Sequence, residues 1–166
     1  MVLDLKPVFL NEGESIGIDT EFDFSDVDLS GRYPLSDPVK VTGSIYNRAS
    51  VVYLSIVCDF SFTAECDRCA RECSNHYTLP VERILVTKLE SSEDNDDILV
   101  VEGMKLDLKE LVYTEVLLFL PTKNLCKPDC KGICPSCGRN LNDGECGCNN
   151  QNIDPRLRVL EQLLNN

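Results

Sequence analysis

The sequence predicts an α+β fold: a β-rich antiparallel N-terminal domain with a packed helix, then a small Cys-rich module and a C-terminal helix. Three observations carry this reading. Between residues 39 and 86, apolar and polar side chains alternate with the period of half-buried strands. Between Asp107 and Pro121, apolar side chains recur at helical spacing. Residues 126–148 gather six of the ten cysteines among four glycines. The predicted divisions are 1–121 for the acidic β-rich domain with its closing helix, 122–150 for the Cys-rich module and 151–166 for the C-terminal helix.

The first strand is expected where Val39, Val41 and Gly43 alternate with Lys40 and Thr42, running on through Ile45. Asn47-Arg48-Ala49-Ser50 supplies a turn, and the β-branched run from Val51 to Val57 a second strand. Phe60, Phe62 and Ala64 then alternate with Ser61, Thr63 and Glu65, delivering the chain to Cys66. Val81 to Val86 reads as a returning strand, so an antiparallel meander is the simplest topology. Ser91 to Asp97 is acidic and without periodicity, which predicts an exposed loop. Ile98 to Val101 and Met104 to Leu106 add short β segments around a turn at Gly103.

Asp107 is placed to cap the helix, with Glu110 three residues later in the position that reaches back. Leu108, Leu111, Val112, Val116, Leu118 and Phe119 make its apolar face, which suits packing on the sheet. Asp154 as N-cap and Pro155 at the first helical position open a terminal helix that runs to Leu164.

At 166 residues, 43% hydrophobic and 27% charged, the chain has the composition of a soluble globular protein able to bury a core without disulfides. No run approaches the roughly 20 apolar residues of a membrane helix. The start, MVLDLKPVFLNEGE, has acids where a signal peptide carries basic and apolar residues, so a cytoplasmic location is expected. The net charge of −12 is uneven: −6 over residues 1–60, −7 over 61–120 and +1 over 121–148. Such a body repels phosphates, which excludes a broad nucleic-acid groove and favours a basic partner.

Ten cysteines without a secretion signal read as metal ligands or redox groups rather than bridges. Within CKPDCKGICPSCGRNLNDGECGC, Cys134-Pro135-Ser136-Cys137-Gly138 is a knuckle whose two thiolates reach one tetrahedral zinc. The segment has too little apolar material for its own core, so a metal must supply folding energy. This makes it a zinc-binding module with Cys126, Cys130, Cys134, Cys137, Cys146 and Cys148 as candidate ligands. Cys146 and Cys148 are separated by one residue, and in an extended chain they point opposite ways. Only one of them is expected to join the knuckle.

Cys66-Asp67-Arg68-Cys69 admits three readings. It is half of a zinc ribbon completed by Cys134 and Cys137, a site of its own with Cys73 and His76, or a redox dithiol. A redox dithiol of the thioredoxin kind sits at a helix N-terminus after a βαβ pattern, which is absent here. No Ser/His/Asp arrangement, phosphate loop or carboxylate pair accompanies the sole histidine, His76, so no enzyme is expected.

The chain resembles the YceD family, the large ribosomal RNA subunit accumulation proteins. The residues that carry the resemblance are Val41-Thr42-Gly43-Ser44-Ile45 with Asn47, the Cys66-Asp67-Arg68-Cys69 turn, and Leu118-Phe119-Leu120-Pro121. They continue through Leu125-Cys126, Cys130 to Gly138, Asn140-Leu141-Asn142, Cys146 and Cys148, and end at Ile153-Asp154-Pro155-Arg156-Leu157. The resemblance implies a non-catalytic cytoplasmic ribosome-biogenesis factor supporting synthesis, processing or stability of large-subunit (23S) rRNA. Relatives that keep the first cysteine pair without the distal cluster imply that the two sites are independent. Cys58 and Cys73 fall outside the family pattern.

The expected partner is a ribosomal protein or a large-subunit assembly intermediate, with rRNA contact confined to Lys127, Lys131 and Arg139 of the module and Arg156 and Arg158 of the tail. No membrane role is expected. Two alternatives from other classes are a thiol redox protein using Cys66 and Cys69, and a zinc-stabilised protein-interaction module unrelated to ribosomes.

Overall fold

The computed structural model describes residues 1–29, 31–88 and 97–148. The predicted terminal helix and all of the acidic loop but Asp97 lie outside these residues. Two units form: Met1–Ala64 with Ser74–Thr122, and Glu65–Cys73 with the chain from Lys123 onward. The second unit therefore draws in a piece of chain that a division by sequence order leaves in the β domain.

The first unit is built on a five-stranded sheet in the order β2-β3-β4-β5-β6. Its strands are β2 (Ser15–Phe22), β3 (Val39–Arg48), β4 (Val51–Glu65), β5 (Glu72–Val86) and β6 (Ile98–Val100). A separate antiparallel pair joins β1 (Val2–Asp4) to β7 (Lys105–Asp107). The alternation read from the sequence sets which side chains turn inward. Val39, Val41 and Ile45 of β3 and Val52, Leu54, Ile56, Cys58 and Phe60 of β4 are all buried. The two predicted strands on either side of Cys58 are one continuous β4.

Within this sheet β2 pairs antiparallel with β3, and β3 with β4. The meander fails at the far edge, where β6 runs parallel to β5, Ile84 opposite Ile98. A period of two says which face a side chain takes and nothing about strand direction.

Gly43 of β3 lies opposite Ile56 of β4. Its φ of 148° lies in glycine's range, and a Cβ there would overlap the Ser55 carbonyl oxygen and lie 2.6 Å from the Ile56 Cα. The β3–β4 turn is Ala49-Ser50, with φ of 52° and 63°, the left-handed pair that a two-residue hairpin loop requires.

The helix α2 spans Leu108–Phe119 and is capped by Asp107, whose carboxylate accepts the N–H groups of Lys109 and Glu110. Leu108, Val112 and Val116 enter the sheet's core. Leu118, expected on that face, is 79% exposed instead. Successive positions are 100° apart, so Val116 and Leu118 cannot share one narrow stripe. Phe119 closes the apolar face by packing edge-on against Phe60 and Tyr77. A half-buried ion pair, Arg83 to Glu115 at 2.6 Å, ties β5 to α2.

The short helix α1 (Lys6–Leu10) buries Val8. The buried Asn47 donates its side-chain amide to the Val8 carbonyl at 2.8 Å, joining β3 to α1. No helix among the described residues is long and apolar enough to cross a membrane.

Candidate metal centres

The connection from β4 to β5 is a tight turn at Cys66. The Cys66 N–H donates to the Arg71 carbonyl at 2.9 Å, and the Ala70 N–H returns to the Cys66 carbonyl at 2.8 Å. The segment starting at Cys134 repeats this arrangement. There the Cys134 N–H donates to the Arg139 carbonyl at 2.8 Å and the Gly138 N–H to the Cys134 carbonyl at 2.8 Å. The pentad and its following arginine, CDRCAR and CPSCGR, stand in one frame in the sequence. That shared frame is the signal by which a second knuckle could have been read directly.

Two groups of four sulfurs result among the described residues. Cys66 and Cys69 meet Cys126 and Cys130, while Cys134 and Cys137 meet Cys146 and Cys148. Within each group every pair of sulfurs lies within 4.8 Å. Cys66 and Cys130 are 3.8 Å apart, and Cys69 and Cys126 3.7 Å. Sulfurs about 2.3 Å from a central tetrahedral ion stand about 3.8 Å from one another. A disulfide would need about 2.05 Å. The donor set and its spacing thus fit a closed, all-thiolate tetrahedral site.

The shared ribbon is not formed, because Cys66 and Cys69 join the Cys126/Cys130 pair and the Cys134 knuckle finds its partners downstream. Both Cys146 and Cys148 reach that second group, against the expectation that only one would. The chain there is not extended. Gly144 at φ 130° and Gly147 at φ 67° bend it, so residues two apart face one point. Cys73 and His76 join neither group. The Cys73 sulfur accepts the Asn124 side-chain amide at 3.4 Å, and His76 lies 3.9 Å from Asp59. Cys58 is a core side chain whose thiol burial pushes up to about 11.

The first group is mostly buried. Cys66, Cys69 and Cys130 are 2%, 6% and 3% exposed, and Leu125 and Cys73 pack against them. Polar groups converge on the sulfurs and their turns. Asn142 donates its side-chain amide to the Cys130 sulfur at 3.2 Å and accepts the Lys131 N–H at 3.0 Å. The Arg68 guanidinium donates to the Cys130 carbonyl at 2.9 Å. Asp67 and Asn124 exchange hydrogen bonds of 2.8 and 2.9 Å, fixing the knuckle to the chain that leads to Cys126. Gly132, at φ 75°, lets the backbone pass Arg68, whose carbonyl oxygen would be only 3.0 Å from a Cβ.

The thiols of each group are unlike in acidity. The backbone N–H of Cys126, with those of Arg68 and Cys69, holds Cys66 down at about 6. The N–H groups of Cys137 and Ser136 hold Cys134 at about 6. Cys130 lies below the ordinary thiol value: its burial works the other way and is outweighed by the Asn142 amide and the Gly132 N–H. Burial pushes Cys126 up to about 12, and hydrogen bonding with Cys137 and Cys146 does the same for Cys148. Each group is thus ready to carry a first thiolate and resists carrying four until a cation is present.

An uncharacterized protein of Mycobacterium tuberculosis is 29% identical over 103 residues, covering 60% of this chain and 49% of its own length. An uncharacterized protein of Mycobacterium leprae is 30% identical over 106 residues, 61% of this chain and 48% of its own. The YlbN protein of Bacillus subtilis is 26% identical over 132 residues, 76% of this chain and 74% of its own. The chain spans about half the length of the mycobacterial relatives it matches. No solved structure matches it. The family described as large ribosomal RNA subunit accumulation protein YceD matches residues 54–164, a stretch that contains all eight clustered cysteines, and the chain belongs to that family.

Proposed function

We propose that this chain is a non-enzymatic, cytoplasmic ribosome-biogenesis factor that supports synthesis, processing or stability of large-subunit rRNA. The observation that carries the reading is the family match over residues 54–164. In this reading zinc occupies both four-cysteine groups and acts structurally. Four thiolates leave no open position for a substrate or an activated water. The chain's own residues do the rest: backbone N–H groups and Asn142 stabilise sulfur charge, and Arg68 and Asn124 hold the turns that present it.

The partner we assign is a basic ribosomal protein or an assembly intermediate that carries one. The support is charge: residues 1–120 hold 23 acidic against 10 basic side chains. Contact with rRNA is confined to the cysteine-bearing module, where Lys127, Lys131 and Arg139 lie. The test is the ratio of large- to small-subunit rRNA in source cells depleted of the protein, with capture of partners from the same cells. A selective fall in large-subunit rRNA, restored by the intact gene, is the expected result. An unchanged ratio at full depletion would overturn the assignment.

A further inference from the structure

We propose that the two cysteine groups hold their ions on different terms: the Cys66/Cys69/Cys126/Cys130 group keeps its ion as part of a core, whereas the Cys134/Cys137/Cys146/Cys148 group is an exchangeable site for a thiophilic divalent cation. This rests on the zinc reading above and adds a second property to it.

Access differs first. Three sulfur-bearing residues of the first group are buried and the fourth, Cys126, is half-buried. In the second group only Cys134 is buried, Cys146 and Cys148 are half-buried, and Cys137 is exposed. Thiolate ligands leave zinc by replacement. A donor from an incoming chelator or thiol bonds to the ion as the bond to one cysteine sulfur breaks, and that sulfur takes a proton from water. No electrons change hands. The incoming donor needs a path, and exposed Cys137 offers a wider one than half-buried Cys126, the least buried cysteine of the first group.

The supporting chain differs as well. The first group spans sequence-distant segments, Cys69 and Cys126 being 57 residues apart. Its turns are locked by Asn124, Asn142 and Arg68. The second group closes within residues 134–148. Two of its four ligands sit on residues 144–148, which form no backbone–backbone hydrogen bond among the described residues. That stretch also contains Gly144 and Gly147, whose positive φ values raise the conformational entropy it gains on release. Losing this ion loosens a short local loop, and regaining it closes one, so both directions are cheap. Losing the first ion opens a packed core.

The experiment follows zinc transfer from the full-length, zinc-loaded chain to an excess of a coloured chelator. Its starting point is the metal content. Two ions per chain are expected, and fewer would overturn the zinc reading itself. From a two-ion protein, one ion should leave at least about tenfold faster than the other. Cys137→Ser/Cys148→Ser should start with one ion and show only the slow phase. The zinc reading would survive but the inference would not if both ions left together. The same holds if the fast phase persisted in the double variant.

Discussion

Ala70 and Gly138 hold equivalent places in two turns, each donating its N–H to the carbonyl of the cysteine four residues before it at 2.8 Å. Both are left-handed, at φ 55° and 72°. Glycine adopts that conformation without cost, whereas alanine strains against its own Cβ. The cysteine pairs impose the turn, and only one of the two has the residue best suited to it.

Replacing Ala70 by Gly should therefore stabilise the second unit by about 0.5–1 kcal/mol, and Gly138→Ala should destabilise it by about 1–2 kcal/mol. Chemical unfolding of the zinc-loaded variants measures both. Equal effects of the same sign would contradict the shared geometry.

The Gly43 site makes a sharper demand. Gly43→Ala puts a methyl group into the β4 backbone at Ser55 and Ile56. Neither atom can move without breaking the register of Gly43 opposite Ile56. A loss of more than about 3 kcal/mol is expected from strain at a special φ combined with overpacking. A change below about 1 kcal/mol in the unfolding midpoint analysis would show that the strands separate more easily than this packing implies.

Asn47 links two elements through one buried amide. Asn47→Ala leaves the Val8 carbonyl without that donor in the core, a cost of about 1–3 kcal/mol. Amide exchange near α1 should accelerate more than exchange in β4. Uniform acceleration would mean that Asn47 supports the whole sheet rather than the joint with α1.

The thiol acidities predict how zinc binding responds to pH. Cys66 and Cys134, held at about 6, are already thiolates at pH 7, whereas Cys126 and Cys148, raised to about 12, are not. Zinc uptake at pH 7 should thus release about three protons per ion or fewer, rather than four. In the metal-free chain a lowered thiol pKa adds stability above the unfolded value of about 8.5, and that stability is lost as pH falls toward 6. The raised thiols act oppositely, favouring the folded state at low pH and opposing it as pH rises from about 8.5 toward 12. Calorimetry in buffers of different ionisation enthalpy counts the protons. Release of four per ion would show that neither Cys66 nor Cys134 is preformed as a thiolate.

Much of this was legible in the residues, and the exceptions have physical reasons. Alternation placed β3, β4 and the last part of β5 from Val81, though not its start at Glu72, and the Asp107 cap placed the start of α2, because both signals are local. The five residues of α1, with Pro7 among them, are too few to show a period. Strand β2 carries Ile16, Ile18, Thr20 and Phe22 in alternation, but acidic neighbours dilute the signal. The parallel direction of β6 depends on a crossover and leaves no mark in a three-residue strand. At the two four-cysteine groups, cysteine spacing singled out the candidate ligands and could not pair them. The meeting of Cys69 with Cys126 is set by tertiary structure, and that of Cys146 with Cys148 by the positive φ values at Gly144 and Gly147.

Eight of the ten cysteines are proposed to hold two metal ions. Native mass spectrometry of the purified full-length chain, followed by thiol counting after denaturation with a chelator, tests this most directly. Two zinc ions per chain and ten free thiols are the predicted result. A metal-free chain, or one whose clustered cysteines appear as disulfides, would contradict it.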